Sequence, residues 1–131
     1  VLVDRSAIRR IAAHDPLTGL PNRRRLHERL TQTIALAHRH SEPFALLFID
    51  LDGFKPTNDR YGHRAGDHVL REIAGRMQRN VRSSDMVARV GGDEFVIVLP
   101  DAHAPERAAQ VARHIESVVA EPIPYAGHLL R

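Results

Sequence analysis

The sequence contains no cysteine among its 131 residues. This absence excludes a disulfide framework, a thiolate nucleophile and a zinc site built on cysteine. No apolar run approaches the ~20 residues of a membrane-spanning helix, and no segment has the pattern of a signal peptide. With a hydrophobic content of 43%, these absences predict a single folded domain in the cytoplasm, either soluble or as the cytoplasmic part of a membrane-anchored protein, and they exclude intrinsic disorder.

Lysine and aromatic residues are also scarce. Lys55 is the only lysine among 19 basic residues, which face 16 acidic ones. A flexible ammonium at one position is compatible with a specific role and with chance in an arginine-rich composition. The chain has four Phe and two Tyr, and no basic block longer than Arg23-Arg24-Arg25. It therefore lacks the stacking platform and basic stripe of a nucleic-acid-binding protein, and we expect no nucleic acid partner.

The spacing of hydrophobic residues predicts helices that alternate with strands. The predicted helices cover residues 1–13, 23–40, 65–80 and 105–120. The predicted strands are a fully buried one over residues 44–49, a hairpin formed by residues 86–90 and 95–99, and the start of a further strand within residues 122–131. This order predicts an α/β fold in which helices pack on one sheet.

Two pairs of acidic residues follow predicted strands. Asp50 and Asp52 end the buried strand, and their spacing puts both carboxylates on one face. Asp93 and Glu94 lie at the hairpin tip, after two glycines that permit a tight turn and close approach of a ligand. If the two strands are neighbours, Asp50 lies near Asp93, and their hard oxygen donors suit Mg²⁺. Each pair taken alone is also typical of solvated acids that bind nothing.

The polar residues after Asp52 suit a nucleotide. Gly53-Phe54-Lys55 leads into a short helical turn, where backbone N–H groups and an ammonium favour phosphate oxygens. Asn58, His63 and Asp67 follow within ten positions. A carboxylate such as Asp67 accepts both the N1–H and the N2–H of guanine, which adenine does not offer. On spacing alone, an ordinary strand-to-helix loop and an acid interacting with the helix dipole explain these residues equally well.

These blocks occur together with one further motif. The blocks are Phe48 to Lys55, Asn58-Asp59, Gly62-His63, Gly66-Asp67, Gly91-Gly92-Asp93-Glu94-Phe95, and Asp15-Pro16-Leu17-Thr18-Gly19-Leu20-Pro21-Asn22-Arg23. The sequence thereby resembles the GGDEF domain family of diguanylate cyclases over residues 15–99, and the joint occurrence of the blocks by chance is negligible. The resemblance implies a sheet like that of nucleotidyl cyclases and polymerase palms, with helices packed around it in an α+β sandwich.

The resemblance also implies a reaction and its residues. Two domains meet face to face as a homodimer, each binds one GTP with Mg²⁺ or Mn²⁺, and they form cyclic di-GMP and two pyrophosphates. The implied metal ligands are Asp50, the carbonyl of Leu51, Asp93 and Glu94. The implied catalytic residues are Asp93, Glu94 and Lys55. The implied GTP-binding residues are Phe54, Lys55, Asn58, His63, Asp67, Gly91 and Gly92.

A match to the inhibitory product site of the family lies just before the signature. Arg82-Ser83-Ser84-Asp85 has the RxxD pattern, in which Arg82 pairs with guanine and phosphate and Asp85 accepts from guanine. Arg89 is a third candidate for this site. The alternative is an ion pair between Arg82 and Asp85 that binds no ligand.

Two functions are compatible with these motifs. The intact metal and lysine positions favour an active diguanylate cyclase. The alternative is a silent GTP-binding domain that regulates a linked EAL phosphodiesterase, since residues 55–59 and 87–90 resemble GGDEF domains fused to EAL domains. Residues 1–13 resemble the end of a signalling helix after a PAS-like sensor. We therefore expect the GGDEF domain over residues 14–131. The strand, helix and strand with which the family continues are not expected within these residues. Thr57 stands where the family usually has an apolar residue.

Overall fold

The computed structural model describes residues 12–101 and 105–130. Residues 12 and 13 are helical, whereas the rest of the helix predicted over residues 1–13 lies outside the described residues. The elements that follow are α1 (Arg23–His40), β1 (Ala45–Asp50), α2 (Phe54–Tyr61), α3 (His63–Arg79), β2 (Met86–Arg89), β3 (Glu94–Leu99), α4 (Pro105–Val119), β4 (Ile123–Tyr125) and β5 (His128–Leu130). Within the described ranges, no helix is long and apolar enough to cross a bilayer.

Helix α1 has the bounds that the sequence predicts, because both of its ends are set by local residues. The side chain of Asn22 accepts a hydrogen bond from the backbone N–H of Arg25 at 3.0 Å, which satisfies a free donor of the first turn. At the other end, Ser41 adopts a left-handed conformation with φ of 51°, and its N–H donates to the carbonyl of Ala37. This is a common way to terminate a helix.

Helices α2 and α3 are separated by one residue. Gly62 has φ of 93°, ends α2 and begins α3, so α3 starts two residues before its predicted start at Ala65. A residue other than glycine is strained at this φ, so the junction depends on Gly62. The buried face of α3 repeats at helical spacing and consists of Ala65, Gly66, Val69, Leu70, Ile73, Ala74 and Met77.

Within the part of the chain that the structure describes, the main sheet has three antiparallel strands in the order β1-β3-β2. The predicted hairpin is confirmed, since Met86 pairs with Val98 and Arg89 pairs with Phe95. The prediction for the end of the chain was wrong in part. Instead of one strand, residues 123–130 form a separate two-stranded hairpin, because Ala126 and Gly127 take positive φ values of 46° and 82°. Two such residues make the tight turn that a short hairpin needs.

The prediction that the strand over residues 44–49 is fully buried was wrong. Strand β1 lies at an edge of the sheet, and Phe48 is 79% exposed. Leu47 and Ile49 pack against the larger core cluster from the opposite face. A continuous apolar pattern shows that both faces of a strand are apolar, but it does not show that both faces are covered.

The sheet separates two apolar cores. Alternate residues of β3 point to opposite faces, as strand geometry requires. Phe95, Ile97 and Leu99 belong to the core formed with α3 and α4, whereas Val96 and Val98 pack with Leu26 of α1. The prediction of an α/β fold with helices packed on one sheet is therefore confirmed, with helices on both faces.

Candidate active site

The structure brings the two acidic motifs together at one end of the sheet. Asp50 ends β1 and is the direct ladder partner of Glu94, the first residue of β3. Residues directly opposite in an antiparallel pair project to the same face, about 5 Å apart at Cβ. One residue further, the N–H of Leu51 donates to the carbonyl of Asp93 at 3.1 Å. The expected proximity of Asp50 to the hairpin tip is present.

Asp52 does not share this position. The strand ends at Asp50, and Asp52 lies exposed in the turn that follows. The alternation of side chains, on which the prediction of a shared face rested, ends at Asp50, so the orientation of Asp52 relative to Asp50 stays a prediction.

Glycine at position 91 makes room for Glu94. A Cβ atom at Gly91 would lie 2.9 Å from Oε2 and 3.3 Å from Cδ of Glu94. The N–H groups of Val90 and Gly91 both approach the carbonyl of Glu94, at 3.0 and 3.4 Å. The signature turn thus folds back on itself, with the carboxylate of Glu94 lying against the glycine backbone.

The guanidinium of Arg89 is hydrogen-bonded to the backbone of this turn. Its Nε donates to the carbonyls of Gly91 and Gly92, both at 3.2 Å, and its Nη2 donates to Gly92 at 2.9 Å. Its Nη1 donates to both carboxylate oxygens of Asp15, at 3.0 and 3.1 Å. Both side chains are only 16% exposed. Sequence reasoning missed this pair as a support of the signature, although Asp15 opens the entry motif that carried part of the resemblance.

Asp15 is held ionised by its own turn. Burial raises its pKa, but hydrogen bonds from the backbone N–H and the hydroxyl of Thr18, both at 2.8 Å, and the Arg89 guanidinium outweigh that effect. The net pKa of Asp15 is below its ordinary value. The carboxylate of Asp15 is therefore charged at neutral pH, where it forms an ion pair with Arg89.

The predicted guanine-binding residues lie together on α2 and α3. The Asn58 amide lies 3.1 Å from Nδ1 of His63. The Asn58 side chain also lies against Gly66, where an added Cβ would be 3.1 Å from Cγ of Asn58 and 3.4 Å from Cε2 of Phe54. Asp67 is half-buried, and α3 has no acidic residue in its first turn. Since the dipole effect fades beyond the first turn, the dipole interpretation of Asp67 loses its basis.

Lys55 lies in the first turn of α2, directly after the acidic end of β1. Gly53 caps this helix with φ of 78° and without a side-chain hydrogen bond. The left-handed glycine lets the chain reverse from β1 into α2. Lys55 is exposed and lies five residues after Asp50. In the first turn of α2, the N–H groups of Phe54 and Thr57 donate to the carbonyls of Leu51 and Gly53, and Pro56 has no N–H, so the N–H of Lys55 is the one that stays available to a phosphate. The role of Lys55 stays a prediction.

The donor set at the sheet end fits a hard cation only together with a substrate. Among residues 12–101 and 105–130, no three His, Asp or Glu side chains form a group that could hold a metal ion. The carboxylates of Asp50, Asp93 and Glu94 are thus not gathered into a complete protein site. Mg²⁺ typically takes one or two carboxylates and completes its shell with phosphates and water. The metal prediction for these residues stays a prediction.

Comparison with known proteins identifies the family of this chain. The chain matches the family described as diguanylate cyclase, GGDEF domain, over residues 12–129. The chain belongs to the GGDEF domain family. MucR of Pseudomonas aeruginosa, a bifunctional diguanylate cyclase/cyclic di-GMP phosphodiesterase, is 47% identical over 92% of this chain and 18% of MucR. Diguanylate cyclase DgcP of the same organism is 46% identical over 86% of this chain and 16% of DgcP.

Solved GGDEF structures share the fold. The isolated GGDEF domain of TpbB from Pseudomonas aeruginosa is 44% identical, with a TM-score of 0.86 over 89% of this chain and 69% of that one. DgcB of Caulobacter crescentus, in complex with c-di-GMP, is 29% identical, with a TM-score of 0.86 over 95% of this chain and 65% of that one. The predicted palm-like fold is confirmed. The chain spans less than a fifth of the length of MucR and of DgcP.

The RxxD segment of this GGDEF domain does not form the ion pair that was the alternative to a product site. Oδ2 of Asp85 accepts instead from the backbone N–H of Arg82 at 2.9 Å and lies 3.5 Å from Nη2 of Arg107. Arg82 itself is exposed. The guanidinium of Arg89 is engaged by Asp15 and the signature glycines. The roles of Arg82, Asp85 and Arg89 in product binding stay predictions.

Proposed function

We propose that this GGDEF domain is a diguanylate cyclase, which condenses two GTP molecules into cyclic di-GMP and two pyrophosphates. The observation that carries the proposal is the ladder contact that sets Asp50 and Leu51 beside Asp93 and Glu94. Relatives that are 46% identical over most of the chain are named diguanylate cyclases. The carboxylates of Asp50 and Glu94 are exposed at this sheet end, which supports a role in neutralising the charge of a bound triphosphate.

Different residues at this end of the sheet would bind the metal ion and the phosphate oxygens of GTP. Mg²⁺ or Mn²⁺ would be held by Asp50, the Leu51 carbonyl and Asp93, with Glu94 beside them. When bound, such an ion neutralises phosphate charge and orients the leaving group. The ammonium of Lys55 and its backbone N–H, at the start of α2, bind phosphate oxygens. Most of the rate enhancement then comes from positioning and from charge neutralisation.

The guanine base is read by α2 and α3. Asp67 accepts from N1–H and N2–H of guanine, and the Asn58 amide pairs with another polar edge of the purine. His63 orients the Asn58 amide through their 3.1 Å contact. Phe54 supplies an apolar wall next to Gly66. The expected substrate is therefore GTP, because adenine offers no donor pair to Asp67.

The reaction needs two such domains. The 3′-hydroxyl of one GTP transfers its proton to a carboxylate of the signature, Asp93 or Glu94, and forms a bond to the α-phosphorus of the other GTP. The bond between that phosphorus and the β-phosphate bridging oxygen breaks, and pyrophosphate leaves. Two reciprocal steps close the ring, so we propose a homodimer with one GTP on each domain. Cyclic di-GMP then binds back at Arg82 and Asp85 as an inhibitor.

A second candidate function comes from the architecture of one relative. MucR is named as bifunctional, with both cyclase and phosphodiesterase activity. In a protein of that kind, a GGDEF domain linked to an EAL phosphodiesterase can bind GTP as a regulator without turning it over. The intact Asp50, Lys55, Asp93 and Glu94 favour turnover over this alternative. Fusion to an EAL domain or a PAS-like sensor and a cytoplasmic location stay predictions.

One variant separates the two functions. In Asp93→Ala, the backbone carbonyl that bonds to Leu51 is kept. We therefore expect a folded full-length protein that forms no cyclic di-GMP from GTP and Mg²⁺ by liquid chromatography. Glu106→Ala, which removes an exposed acid of α4, controls for the change in charge and should keep wild-type turnover.

Turnover by folded Asp93→Ala protein within several-fold of wild type would overturn the cyclase mechanism and favour the regulatory function. Calorimetry with each nucleotide and Mg²⁺ tests the base. Equal affinity for ATP and GTP would contradict the guanine assignment of Asp67.

A further inference from the structure

Asp85 and Arg107 form an ion pair that is buried and incompletely satisfied. The Asp85 side chain is 1% exposed and that of Arg107 is 17% exposed. They meet through one contact of 3.5 Å, between Oδ2 and Nη2, rather than through the two parallel hydrogen bonds of a forked pair. Oδ1 of Asp85 and Nη1 of Arg107 are buried, and neither has a hydrogen-bond partner among residues 12–101 and 105–130. Buried charged groups that lack partners are costly, so this pair carries an unrelieved penalty.

The turn that carries Asp85 is fixed on its other sides. The N–H of Asp85 donates to the carbonyl of Arg82 at 3.0 Å, and the N–H of Arg82 donates to Oδ2 of Asp85 at 2.9 Å. Nη2 of Arg29, on α1, donates to the carbonyl of Ser84 at 2.7 Å. The turn therefore presents Arg82 to solvent while it holds the carboxylate of Asp85 inward, against α4.

This inward carboxylate conflicts with binding of guanine. A carboxylate that reads N1–H and N2–H has to offer accessible oxygens. Here Oδ2 is used by Arg82 and Arg107, and Oδ1 is closed off from solvent. Asp85 has to leave Arg107 before it can accept from a guanine base.

We propose that Arg107 is a latch on the product site, which competes with cyclic di-GMP for Asp85. This inference rests on the proposed product site at Arg82 and Asp85. Opening the pair gives partners to both unsatisfied atoms, since Oδ1 gains a guanine N–H and Nη1 gains water. Binding of cyclic di-GMP therefore costs only the 3.5 Å contact between Arg107 and Asp85. The latch weakens product binding, and so raises the product concentration needed for inhibition, but it does not block the site. Arg107 lies on α4, 22 residues after Asp85, outside the RxxD pattern.

The latch is tested by calorimetric titration of cyclic di-GMP into the full-length protein. Arg107→Gln should bind about fivefold more tightly than wild type, the factor that one net hydrogen bond is worth. Arg71→Gln, which removes an exposed arginine of α3, is the matched control and should bind like wild type. Arg82→Ala should lose binding in the wild-type background and in the Arg107→Gln background.

The possible failures are distinguishable. Unchanged or weaker binding by Arg107→Gln, with Arg82→Ala still losing binding, overturns the latch and leaves the product site intact. Undiminished binding by Arg82→Ala overturns the product site itself, and the latch with it. If Arg107→Gln does not fold in a thermal melt, Arg107→Lys decides, because it keeps a buried positive charge. The lysine variant should bind more tightly than wild type by a smaller factor, and equal affinity overturns the latch.

Discussion

Replacement of Arg89 by alanine is expected to destabilise the domain strongly, because one side chain connects the signature turn to the entry motif. The variant loses the donors to the carbonyls of Gly91 and Gly92 and the ion pair with Asp15. Hydrogen bonds to charged groups contribute about 1.5–3 kcal/mol each, and removal of one partner of a buried pair costs about 3–5 kcal/mol. Since both side chains retain 16% exposure, we expect the lower end, about 3 kcal/mol.

The assay is urea and thermal unfolding followed by circular dichroism. Scaled to the 131 residues of this chain, a loss of about 3 kcal/mol lowers the melting temperature by about 10 °C. Arg24→Ala is the control, since its ion pair with Glu28 spans 3.9 Å and its side chain is 72% exposed. Such surface pairs contribute little, and no measurable change is expected.

A double-mutant cycle isolates the pair. Asp15→Ala and Arg89→Ala remove the same ion pair, so the double variant should lose at least about 1 kcal/mol less than the sum of the single variants. Strict additivity would show that the pair has no coupling energy and would refute the reasoning. Unfolding of Arg89→Ala at the wild-type midpoint would refute it as well.

Two further predictions concern the base site and the entry turn. Gly66→Ala should push the Asn58 side chain aside and weaken GTP binding about fivefold in calorimetry, the cost of about one net hydrogen bond. In Gly75→Ala, the added methyl group meets only the flexible end of Arg79, so this variant should bind GTP like wild type. Equal GTP affinities of Gly66→Ala and Gly75→Ala would contradict the inference that Gly66 makes room for Asn58. In wild type, the stabilisation by Asp15 is complete above its unfolded-state pKa and disappears as the pH falls through its lower folded-state pKa. Asp15→Asn should therefore lose stability near neutral pH, and urea unfolding curves that fail to converge with wild type in acid would contradict this.

Local features of the fold could be predicted from the sequence because neighbours in the chain determine them. Asn22 and Ser41 set the ends of α1, and only four residues separate β2 from β3, so these two strands pair as a hairpin. The helical spacing in α3 and α4 reports one buried face, which any packing partner would require. The functional motifs were readable for the same reason, since their residues lie within short blocks of the chain.

Contacts between distant residues were decided only by the tertiary structure. Phe48 is exposed because, among the described residues, no element covers this position of the edge strand. The ion pair between Asp15 and Arg89 joins positions 74 residues apart. The sequence places Asp85 in an RxxD pattern, but only the fold shows that its carboxylate is buried and meets Arg107 of a later helix. The chemical type of a side chain is given by the sequence alone. Its burial and its interaction partners depend on which helices and strands pack around it.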